Sequence, residues 1–338
     1  MVALASETKA EQGPARNTRE LLRWFRTRLT IVVFVFPALA IIGVFHLYAT
    51  GYNIAMSFTD WTVGTKNFIG LANYSELFRS GAFLNSLEVT AYFLVTVPLT
   101  AILAIPVAYL LHYVVDRSYI YRLVLLLPYI VPTVATSLLW GFILSPSPNG
   151  VLNSIIRTIG FKRESLLLDS EGIVHWFASW VHLDPPSWMA GPSVAMTLIM
   201  GIRSWQLLGF MVLVLYAGMT RIEPTMLDAA RVDGASEYQI LRKVVVPSLS
   251  PTILFVLVVS LVMQFREFNT IFMLTEGGPV RSSETFTMLL FRQFWGDGQL
   301  GMGATTATVL FAIILVVTWI QFRLSRRWVH YEGGVGRD

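Results

Sequence analysis

Six apolar stretches recur along the chain, each close to the 20 or so residues that a helix needs to cross a bilayer. They run roughly from Leu29 to Ala49, Leu84 to Tyr113, Tyr119 to Leu144, Val194 to Met219, Thr252 to Leu274 and Gly303 to Phe322. The pattern predicts an all-α fold, a polytopic membrane bundle of about six transmembrane helices. Pro98, Pro106, Pro128 and Pro132 interrupt the second and third stretches, so kinks are expected where neighbouring helices satisfy the freed carbonyls. The first stretch follows a polar tail without a small-residue cleavage site, which predicts a retained helix rather than a signal peptide.

Composition agrees. Of 338 residues, 54% are hydrophobic and only 14% charged, far from the balance of a soluble domain. The basic residues are placed unevenly. Arg16, Arg19, Arg23, Arg26 and Arg28 precede the first stretch; Arg117 and Arg122 lie between the second and third; Arg221, Arg231, Arg242 and Lys243 lie between the fourth and fifth; Arg323, Arg326 and Arg327 follow the last. With an even number of spans all of these share one side, which the positive-inside rule makes cytoplasmic, so both termini are expected there. The opposite loops carry Lys66, Arg79, Lys162 and Arg163. Topology and anionic membrane lipid therefore account for the net charge of +4 without a nucleic-acid partner. The expected organisation is a cytoplasmic tail over 1–28, disordered to about residue 18, a transmembrane domain over 29–325, and a cytoplasmic tail over 326–338.

No catalytic constellation stands out. There is no GxxxxGK[ST] phosphate loop, no cysteine, and no metal-ligand spacing among the five histidines. Aspartate is absent from the apolar stretches, which argues against an intramembrane hydrolase. The chain is expected not to be an enzyme and to hold no cofactor or metal.

The polar segment between the fourth and fifth stretches, residues 222–247, is the most informative. Pro224 suits the first turn of a short helix carrying Met226, Leu227, Ala230 and Arg231. Asp233-Gly234 makes a turn, and Ser236 with Gln239 has the spacing of a capping box for a second short helix. Pro247 and Pro251 then reset the chain. Such a helix–turn–helix is too short and polar to cross a bilayer, and its small residues let another protein approach the backbone closely. Asp228-Ala229-Ala230, three residues, Gly234, nine residues, then Val244, Val246 and Pro247 reproduce the spacing of the cytoplasmic coupling loop in binding-protein-dependent ABC importer permeases. Asp stands for the usual Glu and Val for the usual Leu, both within chemical type.

The resemblance extends over roughly residues 30 to 325. Ser57-Phe58-Thr59-Asp60-Trp61 with Phe68-Ile69-Gly70-Leu71-Ala72-Asn73-Tyr74, the stretch Pro128 to Trp140 with Gly150-Val151-Leu152-Asn153, and Leu274-Thr275-Glu276-Gly277-Gly278-Pro279 look like the carbohydrate branch of these permeases. The chain is similar to the first permease subunit of maltose-type transporters. This implies the type I ABC importer permease fold in a bacterial or archaeal cell membrane. It also implies a second related permease as heterodimer partner, two ATP-binding subunits that hold ATP and Mg, and an external solute-binding protein. Asp228, Ala229, Ala230, Asp233, Gly234, Ala235 and Pro247 would form the ATPase-coupling element. The external segment 145–192 is long enough for a lid or binding-protein contact, or simply packs on helix ends.

Ionisable residues within membrane helices are costly and face a partner, the bundle interior or a wet path. On a continuous fifth helix, Ser260, Met263, Gln264 and Glu267 would share a face. The resemblance implies that this face lines a sugar site with Arg203, Gln206, Leu207 and Phe210 of the fourth span. Arg203 and Glu267 suit either a polar gate at that site or an ion pair holding two helices together, while Arg266 is expected to point toward the partner permease or the outer interface. A sugar or oligosaccharide is the implied cargo. A permease for another small solute, such as glycerol phosphate, and a secondary transporter working alone are the alternatives; neither inverted repeats nor a proton relay supports the last.

Overall fold

The computed structural model describes residues 18–62, 64, 66–115, 118–147, 150–158, 165–180, 186 and 189–329. Arg16, Arg117, Lys162, Arg163 and the C-terminal tail from residue 330 lie outside the described residues. The chain divides into two compact units, residues 1–55 and 56–338.

The described residues of the first unit form one long helix, α1 (Thr18–Ile42), charged at its start and apolar beyond, continued through a π-helical turn at Gly43–Tyr48 into α2 (Ala49–Met56), whose last residue opens the second unit. None of its most apolar window is buried, as suits a helix whose surroundings include lipid.

The second unit begins with a feature outside the helical expectation, a small antiparallel hairpin of β1 (Thr59–Trp61) and β2 (Lys66–Phe68), with Thr59 opposite Phe68. Helix α3 (Ala72–Arg79) follows. Its buried Asn73 donates to the carbonyls of Ser57 (3.0 Å) and Thr59 (2.9 Å), tying the hairpin to the helix. Helix α4 (Gly81–Tyr109) starts on a Ser80 cap and passes Pro98 and Pro106 without a break before a π-helical turn at Leu110–Val114.

The third apolar stretch is two helices, α5 (Ser118–Ile130) and α6 (Thr133–Ile143), bent by 92° at Val131-Pro132. A proline at the start of α6 disfavours helical geometry in the residue before it, so the bend falls there. In the external segment, α7 (Val151–Thr158) and α8 (Ile173–Trp180) flank a short 3₁₀ turn at Leu166–Leu168. Leu167 of that turn is buried against Leu144 and Ile202, and the amide of Ile173 donates to Pro192 O.

Helix α9 (Val194–Met219) is the central column; it packs chiefly against α4 and α5. Gly209 allows this: a Cβ there would sit 2.1 Å from the Leu125 carbonyl oxygen. The polar segment then forms α10 (Pro224–Val232), α11 (Glu237–Ile240), a π-helical turn at Leu241–Val245, and α12 (Val246–Ser248). A 72° bend leads into α13 (Ser250–Phe265).

The fifth apolar stretch does not continue as one helix to Leu274. Helix α13 ends at Phe265, and α14 (Asn269–Thr275) begins after Arg266, Glu267 and Phe268. The Glu267 carboxylate accepts from both the amide and the hydroxyl of Thr270, each at 2.9 Å, and so caps the new helix. Last come α15 (Phe286–Phe291), a π-helical turn at Arg292–Gly296, and α16 (Leu300–Ser325). Among the described residues four helices are long and apolar enough to cross a membrane, or up to six when each bent pair counts as one span. The main core joins α4, α9, α13 and the short helices of the polar segment around Ala104, Met211, Leu215, Ile240 and Val245.

Candidate functional site

Where α5, α6, α9 and the end of α13 converge, they enclose a cavity of about 280 Å³, near the lower bound of small-molecule sites. The bend between α5 and α6 supplies Pro128, Tyr129 and Thr133; α9 supplies Arg203, Gln206 and Leu207, one turn apart on one face; Met263, Arg266 and Glu267 come from the end of α13 and the break beyond it. Arg203 lies nine residues from the start of α9 and sixteen from its end, so the cavity sits about 14 Å from one end of that helix and about 24 Å from the other.

Arg203 is buried, and its guanidinium is committed on two sides. One nitrogen donates to Gln206 Oε1 at 2.7 Å and another to Glu267 Oε2 at 2.9 Å. Glu267 uses its other oxygen to cap α14. The pair therefore locks α9 to the α13–α14 break as well as lining the cavity. Each charge has a close, hydrogen-bonded counterion, which a buried ion needs in order to offset its desolvation.

The expected residues are gathered only in part. Arg203, Gln206, Leu207, Met263 and Glu267 line the cavity. Glu267 reaches it from the break rather than from a helical face shared with Ser260, Met263 and Gln264, because the helix has ended two residues earlier. Ser260 and Gln264 are buried away from it, Gln264 donating to Thr96 of α4 at 2.9 Å. Phe210 stands behind the lining and packs on Tyr129, with ring centroids 5.2 Å apart. Arg266, expected to point elsewhere, lines the cavity and is exposed. Tyr129 and Thr133 are additions. Their signal was the Pro128/Pro132 pair, since a bend between two helices turns the residues beside it into an internal corner.

The polar hairpin is the second candidate. Helix α10 starts on Pro224, Gly234 turns at φ +79°, and the reciprocal Ser236–Gln239 capping box is present. Asp228 and Ala229 are exposed, while Ala230 and Ala235 pack against the chain's own core, because they lie on the same side as buried Leu227 and Ile240. Asp233 caps the end of α10, and Pro247 lies in α12. The outward apolar side chains are instead Met226, Val232 and Tyr238, with Val232 88% exposed. Arg231 bridges the two short helices, its side chain 3.4 Å from Asp228 and 3.3 Å from Glu237. Glu237 also accepts from the Tyr109 hydroxyl at the end of α4.

Residues 68–330 match the family described as the inner membrane component of binding-protein-dependent transport systems. The chain belongs to that family and is a permease, a transport subunit. It is 31% identical over 290 residues to a probable ABC transporter permease protein of Pyrococcus horikoshii, covering 85% of this chain and 92% of the relative. It is 31% identical over 272 residues to the sn-glycerol-3-phosphate transport system permease protein UgpA of Agrobacterium fabrum, covering 79% and 84%. The probable ABC transporter permease protein YesP of Bacillus subtilis is 30% identical over 294 residues, covering 85% and 87%. Among solved structures, a chain of a bacterial ABC transporter involved in import of the acidic polysaccharide alginate aligns with a TM-score of 0.72 at 21% identity, covering 91% of this chain and 98% of that one. This likeness establishes the shared fold.

Proposed function

We propose that this permease moves a sugar or related polyhydroxylated solute through the cavity beside Arg203. It would work as one half of a permease heterodimer with two ATP-binding subunits and an external solute-binding protein. ATP and Mg would be held by the ATP-binding subunits, since this chain carries no phosphate loop. Both termini and the Pro224–Ile240 hairpin would face the cytoplasm. The observation that carries this reading is the hairpin itself. It presents Met226, Val232 and Tyr238 outward while its inner face is built into the same core as α4, α9 and α13, so force applied to it reaches the helices that form the cavity.

ATP-driven closure of the ATPases would shift the hairpins as levers and alternate the cavity between the two sides. The cargo class rests on the carbohydrate-type motifs and on the polar, Tyr-lined cavity, which suits hydroxyl groups and sugar C–H faces. A phosphorylated polyol is the second reading, favoured by the likeness to UgpA proteins. Co-expression with the cognate permease, ATPases and binding protein, followed by uptake of a sugar panel into proteoliposomes, tests the assignment. Uptake that needs neither ATP nor the binding protein would overturn it.

A further inference from the structure

We infer that the solute accepted by the cavity is an anion, an acidic sugar or a phosphate ester of a polyol rather than a neutral carbohydrate. The inference rests on the reading of this cavity as the solute path and adds the charge of the cargo.

Three charged side chains line the cavity. Two guanidinium charges, Arg203 and Arg266, face one carboxylate, Glu267, and leave one positive charge. Glu267 is fully committed: one oxygen meets Arg203 and the other caps α14 through Thr270. Arg203 gives its two terminal nitrogens to Glu267 and Gln206, and among the described residues only its buried Nε is left without a partner. Arg266 differs from both. Among the described residues its side chain has no ion pair or hydrogen bond, and it lines the cavity and is exposed.

A cation inside a membrane bundle that lacks a counterion is costly unless it faces water or a partner. A neutral cargo would leave that cost in place throughout transport, and amides or aromatic rings would bind its hydroxyls equally well. A carboxylate or phosphate would supply the missing counterion and receive a planar, two-pronged donor from Arg266. Tyr129 and Gln206 beside it can serve the hydroxyl groups of the same molecule.

The test uses the assembled transporter with its cognate binding protein. The binding protein is screened by thermal shift against glycerol, sn-glycerol 3-phosphate, a neutral oligosaccharide and a uronate oligosaccharide, and uptake into proteoliposomes is then measured with saturating loaded binding protein. One of the two acidic probes should bind and be transported, and which one it is separates phosphate from carboxylate recognition. Arg266→Gln should slow that uptake roughly 10- to 100-fold, the range of a lost charged hydrogen bond, and Arg266→Lys should restore much of it. Transport of a neutral probe, or an Arg266→Gln rate equal to wild type, overturns the inference and leaves the importer reading standing. Loss of the heterodimer in Arg266→Gln on size-exclusion also overturns it, because Arg266 would then be the counterion of a carboxylate on the second permease. Failure of all four probes to show ATP-dependent, binding-protein-dependent uptake would remove the importer reading and this inference together.

Discussion

The hydroxyl of Tyr109, at the C-terminal end of α4, donates a hydrogen bond to the Glu237 carboxylate on α11, 128 residues away in sequence. Its ring is buried beside Tyr113. Glu237 is in turn held by Arg231 of α10, so one carboxylate joins both halves of the hairpin to α4. Tyr109→Phe keeps the ring and removes only this link. A hydrogen bond to a partly exposed carboxylate contributes about 1 kcal/mol. The amides of residues 237–240 should therefore exchange roughly fivefold faster in the variant, and solute moved per ATP hydrolysed should fall. Unchanged exchange in this segment would show that the link carries no coupling.

Val232 and Ala230 separate docking from folding. Ala230 packs inward, so Ala230→Glu would bury a carboxylate in the permease's own core and damage the fold. Val232 is 88% exposed at the end of α10 and touches little of its own chain. Val232→Asp should leave membrane insertion and thermal stability unchanged while reducing co-purification of the proposed ATP-binding subunits. Equal recovery of those subunits with wild type and variant would place the docking surface elsewhere.

Gly234 tests the turn by a different physical route. Nothing lies within 4 Å of a Cβ placed there, so the constraint is the backbone angle of +79° and not crowding. Gly234→Ala should cost about 1 kcal/mol through strain alone, and Gly234→Asn should cost less because Asn tolerates this region better. Transport should rank Gly, Asn, Ala in descending order; an Ala variant equal to Asn would rule out backbone strain as the cause.

The apolar runs, the proline punctuation and the capping-box spacing are legible in the sequence because each is a local property of neighbouring residues. The break in the fifth helix is harder to read. Phe268-Asn269-Thr270-Ile271-Phe272 continues the apolar run, and hydropathy is blind to whether Glu267 extends one helix or caps the next. The signal was present in Arg266-Glu267 with Thr270 three residues on, a capping spacing that competes with a continuous helix. Ala230 and Val232 mark a second limit. The loop pattern identifies the segment, but which of its apolar side chains point outward depends on how the hairpin lies against α4 and α9, a tertiary fact. Arg266 is a third case: its position follows from the helix ending at Phe265 and could not be read while the helix was taken as continuous.

Gly209 and Gly201 lie eight residues apart on α9 and form a matched pair for packing. A methyl group at Gly209 meets the Leu125 carbonyl oxygen at 2.1 Å, whereas at Gly201 it meets nothing within 4 Å. Both are helical, so Ala gains the same helix propensity at each site, up to about 1 kcal/mol. Gly201→Ala should raise the melting temperature of the detergent-purified complex slightly or leave it alone. Gly209→Ala should lower it by several degrees, since α5 must move from α9, and transport should fall because Pro128 and Tyr129 of the cavity ride on α5. Equal melting temperatures would refute the close α5–α9 approach.

Arg203 and Glu267 allow a thermodynamic cycle that asks whether their pair is structural. Removing one partner of a buried pair leaves an uncompensated charge and costs about 3–5 kcal/mol. Arg203→Met alone should therefore sharply reduce the yield of folded permease. Glu267→Gln alone should cost less, since the Gln carbonyl oxygen can still accept from the Thr270 amide and cap α14. In the double variant no charge is stranded, so folded yield should recover most of what Arg203→Met lost, by at least about 2 kcal/mol of coupling. Recovery of folding without recovery of uptake would assign the pair both roles, as the lock between α9 and the helix break and as part of the solute path. Strictly additive losses in folded yield would mean that the two side chains act independently and that the lock is absent.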